Sequence, residues 1–210
     1  MNDERSELKL KPVEVYAELT PNPDSMKFVT SRILLGEGVA EYFSKETAVD
    51  CPLAYQLFDF SGIKRVFITS NFVTLTKEGS IDWYEITNIL REFVRGFLQS
   101  GERVFLKSPF TEKEEKAPVV AATTTTTDST PVDPEIEEKI KQLLDEYVRP
   151  AVEGDGGAIH FHSFDNGTVN VVLKGACSGC PSSTSTLKGG IENLLKRMLP
   201  DVKEVVAMNE

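Results

Sequence analysis

The sequence contains few of the residues that build reactive sites, and it has no long apolar run. Its 210 residues include three cysteines, two histidines and one tryptophan. No stretch approaches the roughly 20 consecutive apolar residues that span a bilayer, so we expect no membrane partner. Basic residues are outnumbered by acidic ones, and the formal net charge is -10. Nucleic-acid binding needs a basic face, so we expect no nucleic-acid partner either.

The start of the chain lacks a recognisable targeting pattern. Residues 1–5 contain neither the basic nor the apolar region of a secretory signal, and their early acidic residues are unlike a mitochondrial presequence. We therefore expect a cytoplasmic protein in a reducing compartment. Three cysteines in such a compartment indicate chemistry or core packing, because disulfide frameworks belong to oxidising surroundings.

Composition divides the chain into two candidate domains, 1–107 and 134–210, joined by residues 108–133. The joining segment contains charged residues and a run of five threonines, Thr123 to Thr127, with no helical or strand period. Such a segment buries too little apolar surface to offset its ordering entropy, which predicts a flexible linker about 25 to 30 Å in root-mean-square span. The predicted fold class is α+β, with two small α/β-sandwich-like domains.

The first candidate domain combines short strands with one long helix. Alternating apolar and polar residues predict strands over 13–17 and 26–29. A hairpin of two strands is predicted over 64–77. Apolar residues spaced three and four apart predict a helix over 82–99 that Asp82 caps. Shorter helical turns are expected at 39–43 and 52–58. Because this domain has no reactive cluster, we expect it to have a docking or regulatory role.

The second candidate domain is predicted to have the order α-β-β-α-β. Pro134 opens a helix with one apolar face, and strands follow over 158–164 and 168–174. Asp165-Asn166-Gly167 is typical of the turn between two hairpin strands. A second amphipathic helix and a last strand over 202–208 complete the domain. The cysteine turn lies between the second of these strands and the second helix.

Cys177 and Cys180 are the candidate metal and cofactor ligands, and we find no candidate catalytic residue. They flank a Ser-Gly pair just before a helix N-terminus, where unpaired N–H groups favour thiolates. Two thiols make half of a four-ligand site. The residues leave three readings open: a redox dithiol, half of a zinc site, or half of an iron–sulfur site. For either metal site, a second copy related by a two-fold axis would supply the missing pair.

The cysteine turn also carries a family resemblance. Residues 175–183 read Gly-Ala-Cys-Ser-Gly-Cys-Pro-Ser-Ser, and with Asp155-Gly156-Gly157 they resemble the NifU-like C-terminal domain of Nfu proteins. Thr20-Pro21-Asn22-Pro23 resembles part of the Nfu N-terminal domain. The resemblance implies a carrier, and no enzyme, that binds a [4Fe-4S] cluster through Cys177 and Cys180 of two protomers and transfers it to apoproteins. A transient [2Fe-2S] form, upstream scaffold partners and a homodimer formed on cluster binding belong to the same expectation.

Thiol–disulfide exchange and a zinc-bridged dimer are the alternative functions of the same cysteines. Elsewhere in the sequence, His160 and His162 are expected on an ordinary polar sheet face, because the family site is all cysteine. Cys51 is expected to be a passive small residue at a helix start. The glycine pair 189–190 lies inside a predicted helix, which suggests a close backbone approach, either by packing within the domain or to the partner protomer. Asp155 is expected to serve a tight turn.

Overall fold

The computed structural model describes residues 12–79, 81–107, 134–178 and 181–208. The predicted linker over 108–133 and the start of the chain lie outside these residues. Within them the chain forms two sheets with helices packed against each, which confirms the α+β fold class. We refer to residues 12–107 as the N-terminal unit and to residues 134–208 as the C-terminal unit.

The N-terminal unit is built on an antiparallel five-stranded sheet in the order β1-β2-β5-β4-β3. Its strands are β1 (Val15–Leu19), β2 (Ser25–Thr30), β3 (Val39–Tyr42), β4 (Ile63–Thr69) and β5 (Phe72–Lys77). Two α-helices accompany them, α1 (Pro52–Leu57) and α2 (Trp83–Ser100), together with a 3₁₀ helix over Glu46–Ala48. The α2 prediction is confirmed: the Asp82 carboxylate accepts a hydrogen bond from the Tyr84 N–H at 2.9 Å, and left-handed Gly101 ends the helix.

The two faces of this sheet have different neighbours. Side chains alternate across a strand, so one set of residues, such as Val66, Ile68 and Leu75, packs with α1 and α2 in the first hydrophobic core. The other set points away from the helices. We call it the docking face, and it comprises Lys27, Glu41, Arg65, Phe67, Phe72 and Thr74. Phe67 and Phe72 are buried there with Ala158 of the C-terminal unit.

The predicted helical turn over 39–43 is wrong, because the structure forms strand β3 there. Ala40 and Tyr42 are buried in the first core, while Val39 and Glu41 point to the opposite side of the sheet. This two-residue period matches a strand, and all four residues of β3 pair with β4. The apolar residues of this segment follow the two-residue period of a strand, and the prediction had assigned them the period of a helix.

The C-terminal unit confirms the predicted order of helices and strands. Its helices are α3 (Pro134–Leu143), α4 (Arg149–Gly154) and α5 (Pro181–Met198), and its strands are β6 (Gly157–Asp165), β7 (Thr168–Gly175) and β8 (Glu204–Met208). A π-helical turn, Leu144–Val148, joins α3 to α4. Pro150 lies at the start of α4, and a proline cannot donate the hydrogen bond that would continue a regular helix through this point.

The sheet of the C-terminal unit has the order β6-β7-β8, with β6 and β7 antiparallel and β7 and β8 parallel. Asn166 and Gly167 both have positive φ, as the predicted hairpin turn requires. The register of β6 shifts between Phe161 and Ser163, which leaves His162 at a bulge. Strands β7 and β8 are parallel, so α5 is the crossover that connects them. The cysteine turn lies where this crossover begins, at the end of β7.

Candidate metal centre

The structure places Cys177 in the turn between the end of β7 and the beginning of α5. Gly175 ends β7 with φ +67°, and the Ser178 N–H donates to its carbonyl oxygen at 3.2 Å, which closes a tight turn around Cys177. Cys177 is only 4% exposed and packs in the second hydrophobic core. Cys180 lies outside the described residues. The juxtaposition of the two sulfurs therefore stays a prediction.

Two glycines on β6 and β7 let the backbone approach the Cys177 side chain closely. A Cβ atom added to Gly157 would lie 2.8 Å from Cys177 Sγ and 2.6 Å from the Lys174 carbonyl oxygen. A Cβ atom on Gly175 would lie 2.7 Å from the Gly156 carbonyl oxygen. Only residues without a side chain fit at such separations. The Gly156-Gly157 pair thus packs directly against the cysteine turn. The sequence pattern of the pair did not indicate this role.

Asp155 serves the turn that leads into β6, in agreement with the expectation. It follows α4, and its backbone N–H donates to the Ala151 carbonyl oxygen at 3.0 Å. The Ala176 N–H in turn donates to the Gly156 carbonyl oxygen at 3.1 Å. This hydrogen bond ties the cysteine turn to the loop before β6.

The N-terminal unit contacts the cysteine turn through a partly buried ion pair. Arg65 Nη1 donates to the carbonyl oxygens of Gly175 at 3.1 Å and Ser178 at 3.4 Å. Glu41 Oε1 lies 3.6 Å from the same guanidinium nitrogen and accepts the Gly175 N–H at 3.0 Å. Arg65 therefore binds the backbone on both sides of Cys177, at Gly175 and Ser178, and Glu41 binds it at Gly175. Sequence reasoning had assigned no role to either charged residue.

Two uncharged side chains extend this contact along the turn. Asn22 Nδ2 donates to the Ala176 carbonyl oxygen at 3.1 Å, and Thr74 Oγ1 donates to the Gly156 carbonyl oxygen at 2.7 Å. Asn22 belongs to the Thr-Pro-Asn-Pro motif, which the sequence analysis had singled out only as a family feature. The motif thus contacts the turn that carries Cys177. The sequence could not indicate this role, because the two segments are far apart along the chain.

The space beside Cys177 is small in this arrangement. A cavity of about 20 Å³ reaches the cysteine between the two units. Its lining consists of Pro21, Asn22, Asp155, Ala176, Cys177 and Leu187. That volume holds about one water molecule. A cubane of four irons and four sulfides is much larger, so the described arrangement of the turn is a closed one.

The remaining candidate residues are not brought to this turn. Cys51 is fully buried in the first core, whereas Cys177 packs in the second. Burial raises the pKa of the Cys51 thiol to about 12, which suppresses its reactive thiolate. His160 is partly buried on β6, and His162 is exposed. Among the described residues, no three His, Cys, Asp or Glu side chains cluster in a way that could hold a metal ion.

The glycine pair 189–190 does not make the close backbone contact expected within the chain. A Cβ atom on Gly189 or Gly190 would meet no described atom within 4 Å. Gly190 lines an open groove between α5 and the π-helical turn, together with Tyr147 and Leu187. The proposed proximity to a second protomer stays a prediction.

Comparison with known families gives two matches that together cover both units. Residues 15–101 match the family described as "Scaffold protein Nfu/NifU N terminal", and residues 140–206 match the "NifU-like domain". The human protein named "NFU1 iron-sulfur cluster scaffold homolog, mitochondrial" is 35% identical over 193 residues, which cover 91% of this chain and 70% of the human protein. The chain belongs to the Nfu/NifU family.

Other family members match over the same share of the chain. The NFU1 homolog of Drosophila persimilis and NifU-like protein 4 of Arabidopsis thaliana are each 37% identical. The matched residues are 91% of this chain and 64% of either relative. Among solved structures, the solution NMR structure of a NifU-like protein from Saccharomyces cerevisiae is 23% identical and overlaps with a TM-score of 0.42. That overlap covers 51% of this chain and 91% of the yeast chain.

The expectation of a cytoplasmic protein is wrong by this comparison, because the names of these relatives describe mitochondrial proteins. The expectation relied on residues 1–5, and the lack of a targeting pattern in so short a stretch carries no positive information about compartment. Separately, none of the helices in the described part of the chain is both long and apolar enough to cross a bilayer.

Proposed function

We propose that this chain is an iron–sulfur cluster scaffold and carrier, with the cluster as its cargo. Membership of the Nfu/NifU family and the scaffold names of several relatives support this role. A carrier performs no catalysis of its own, so we propose that the protein is not an enzyme. Client apo iron–sulfur proteins would receive the cluster, and upstream scaffold proteins would supply it.

We further propose that Cys177 and Cys180 of two protomers share a [4Fe-4S] cluster. The observation that carries this proposal is the position of Cys177 in a glycine-lined turn directly before α5, without a cluster of three metal-binding side chains in the described part of the chain. Four thiolate ligands are needed, and the motif supplies two. A two-fold dimer completes the set with the same surface of a second copy.

Such a shared site is suited to transfer, because its ligands exchange in steps. An acceptor thiolate replaces one cysteine at a time, just as thiolates exchange on a disulfide through a mixed intermediate. A [2Fe-2S] cluster held by the same four thiolates would be a transient form. Each protomer contributes only a short turn, so loss of two bonds releases the cluster from that protomer.

Anaerobic reconstitution with iron and sulfide tests this proposal. We expect broad visible absorption, about four irons per dimer and a doubling of mass on size-exclusion chromatography with light scattering. Cys177→Ser and Cys180→Ser should each abolish all three signals. Cys51→Ser is the matched control, because Cys51 lies in the other core, and it should load the cluster normally. Transfer is then measured as activation of an apo [4Fe-4S] acceptor.

Two other outcomes would contradict the carrier proposal. A protein that stays colourless and monomeric while it reduces the disulfides of insulin would be a thiol–disulfide oxidoreductase. A colourless dimer that retains zinc through purification, and unfolds when a chelator removes it, would be a structural zinc protein. Iron content, zinc content and insulin turbidity on one preparation distinguish the three.

A further inference from the structure

The docking face is unusual for the outer side of an antiparallel sheet, because large parts of it are buried. Such a face is commonly solvated. Here Phe67 is fully buried, Thr74 likewise, and Phe72 is 3% exposed. Phe67 and Phe72 pack on Ala158, the second residue of β6. The apolar centre of the docking face thus covers the beginning of the strand that supports the cysteine turn.

Polar side chains surround this apolar centre, and their partners are backbone atoms of the C-terminal unit. Lys27 Nζ donates to the Gly154 carbonyl oxygen at 3.2 Å and is also paired with Glu18 at 3.3 Å. Thr74 reaches Gly156, as described above. Lys27 therefore contributes a charge at the edge of the contact, and its ammonium group lies over the Phe72 ring at 4.8 Å from Nζ to the centroid.

Together these contacts enclose residues 175–178, the described part of the cysteine turn. Arg65, Glu41 and Asn22 bind the backbone of residues 175, 176 and 178, while the side of the turn that faces β6 is closed by Gly157. The exposed fractions of Ala176, Cys177 and Ser178 are 2%, 4% and 9%. Cys177 itself packs in the second core, and the docking face occupies the backbone on both sides of it. A second copy of the chain therefore cannot contact this part of the turn while the docking face is in place.

We propose that the docking face is an intramolecular lid for the cysteine turn, and that it must release the turn before two protomers can share a cluster. The inference has two parts. The first, that the lid closes over the turn in solution, does not depend on any cluster. The second, that the lid competes with dimer formation, rests on the proposed function. The apo protein rests in the closed form, and opening precedes loading.

Closure over the turn makes a direct prediction for one amide hydrogen. The Gly175 N–H donates to Glu41 across the two units, whereas the Ala176 N–H donates to Gly156 within the C-terminal unit. Exchange of the Gly175 amide with deuterium, followed by NMR on the full chain without metal, therefore reports opening of the lid. The Ala176 amide is the internal reference for opening of the C-terminal unit itself.

Two variants and a matched control are compared with the unsubstituted chain. Thr74→Val keeps the shape of a buried residue but removes its hydrogen bond to Gly156, and should speed exchange at Gly175 about fivefold. Arg65→Ala removes two charge-assisted hydrogen bonds and should speed it about tenfold or more. Lys64→Ala changes the neighbouring exposed residue, which pairs with Glu78 within the N-terminal unit, and should change nothing.

The same preparations are then loaded with iron and sulfide. We expect Thr74→Val and Arg65→Ala to load faster than the unsubstituted chain, in the order of their exchange rates, and to reach the same final iron content. Equal loading rates despite faster exchange would refute the competition with dimer formation. Failure of every chain to bind a cluster would refute the proposed function but leave the exchange result valid for the lid.

Unchanged Gly175 exchange in both variants would overturn the lid itself. Thermal unfolding identifies a variant that is merely misfolded, and the nearly isosteric Thr74→Val guards against a folding defect caused by loss of the Arg65 and Glu41 ion pair. Dilution supplies one more test. If protection of the Gly175 amide decreases when the protein is diluted, the turn of a second copy occupies the docking face, and the intramolecular lid is refuted.

Discussion

Gly157→Ala should damage the cysteine turn without replacing a proposed ligand. The new Cβ atom would lie 2.6 Å from the Lys174 carbonyl oxygen and 2.8 Å from Cys177 Sγ. Ordinary contacts between carbon and its neighbours lie near 3.5 to 4 Å. Either β6 and β7 must separate at this end, or the Cys177 side chain must leave the second core. Both changes act on the position of the sulfur.

The expected cost follows from the forced displacement. Overpacking of a core by one carbon costs about 1 to 3 kcal/mol. In a unit of this size, each kcal/mol lowers the midpoint of thermal unfolding by about 4 to 8 °C. We therefore expect Gly157→Ala to lower that midpoint by about 5 to 20 °C and to reduce the iron retained after reconstitution.

Gly154→Ala is the matched control, because it lies three residues earlier and its Cβ atom would meet nothing within 4 Å. It should unfold at the same temperature as the unsubstituted chain or slightly higher. Unfolding is followed by far-ultraviolet circular dichroism and by the fluorescence of Trp83, the only tryptophan, which reports on the N-terminal unit. Midpoints for the two variants within about 2 °C of each other would refute the packing argument.

Three further changes test other features of the structure. Burial raises the pKa of the Cys51 thiol to about 12. Iodoacetamide at pH 8 should therefore label it about a thousandfold more slowly than an ordinary cysteine, as measured by peptide mass spectrometry. Labelling at an ordinary rate would contradict this burial. Hydrogen bonds from Lys196 and the Val205 N–H lower the pKa of Glu192. The stability that this carboxylate contributes is present above its ordinary pKa and is lost as the pH falls through the lowered one, so Glu192→Gln should lower the unfolding midpoint at pH 7 but not in strong acid. Gly190→Ala should stabilise α5 by about 1 kcal/mol in urea unfolding; a loss of stability would reveal a close contact at this position.

Local features of the fold were predictable because their causes lie within a few residues. The amphipathic period of α2 and the Asp82 cap are both encoded in one short segment, and the structure confirms them. The Asn166-Gly167 turn is similarly local, since both residues must adopt positive φ. In each case the residue type restricts the backbone directly, without help from distant neighbours.

Features that depend on distant partners were missed or assigned incorrectly. β3 is too short for its apolar residues to distinguish a strand from a helical turn, and its pairing with β4 decides the matter. The bulge at His162 changes which residues of β6 share a face, so a strict alternation fails beyond Phe161. The sequence assigned no role to Arg65 or Thr74, because the carbonyl oxygens to which they donate belong to residues about 80 to 110 positions away.

The sequence indicated where the candidate site lies, but it did not reveal what surrounds that site. Two cysteines before a helix indicate a half site from sequence alone, and the family match supports the cargo. The close approach of Gly157 to Cys177 requires the register of β6 against β7, which no short segment contains. The contact with Asn22 joins residues 154 positions apart.

The partners of Lys27, Arg65, Asn22 and Thr74 across the two units are all main-chain carbonyl oxygens. Every residue type presents such an oxygen, so this contact selects the path of the backbone and is indifferent to most side chains along it. Substitutions should therefore be unequally tolerated on its two sides. The N-terminal side must keep its particular donors, whereas the C-terminal side must keep glycines at its tightest points and a small residue at Ala158, and can otherwise diverge. Divergence of the cysteine turn between related proteins need not be matched by compensating changes in the sheet that covers it.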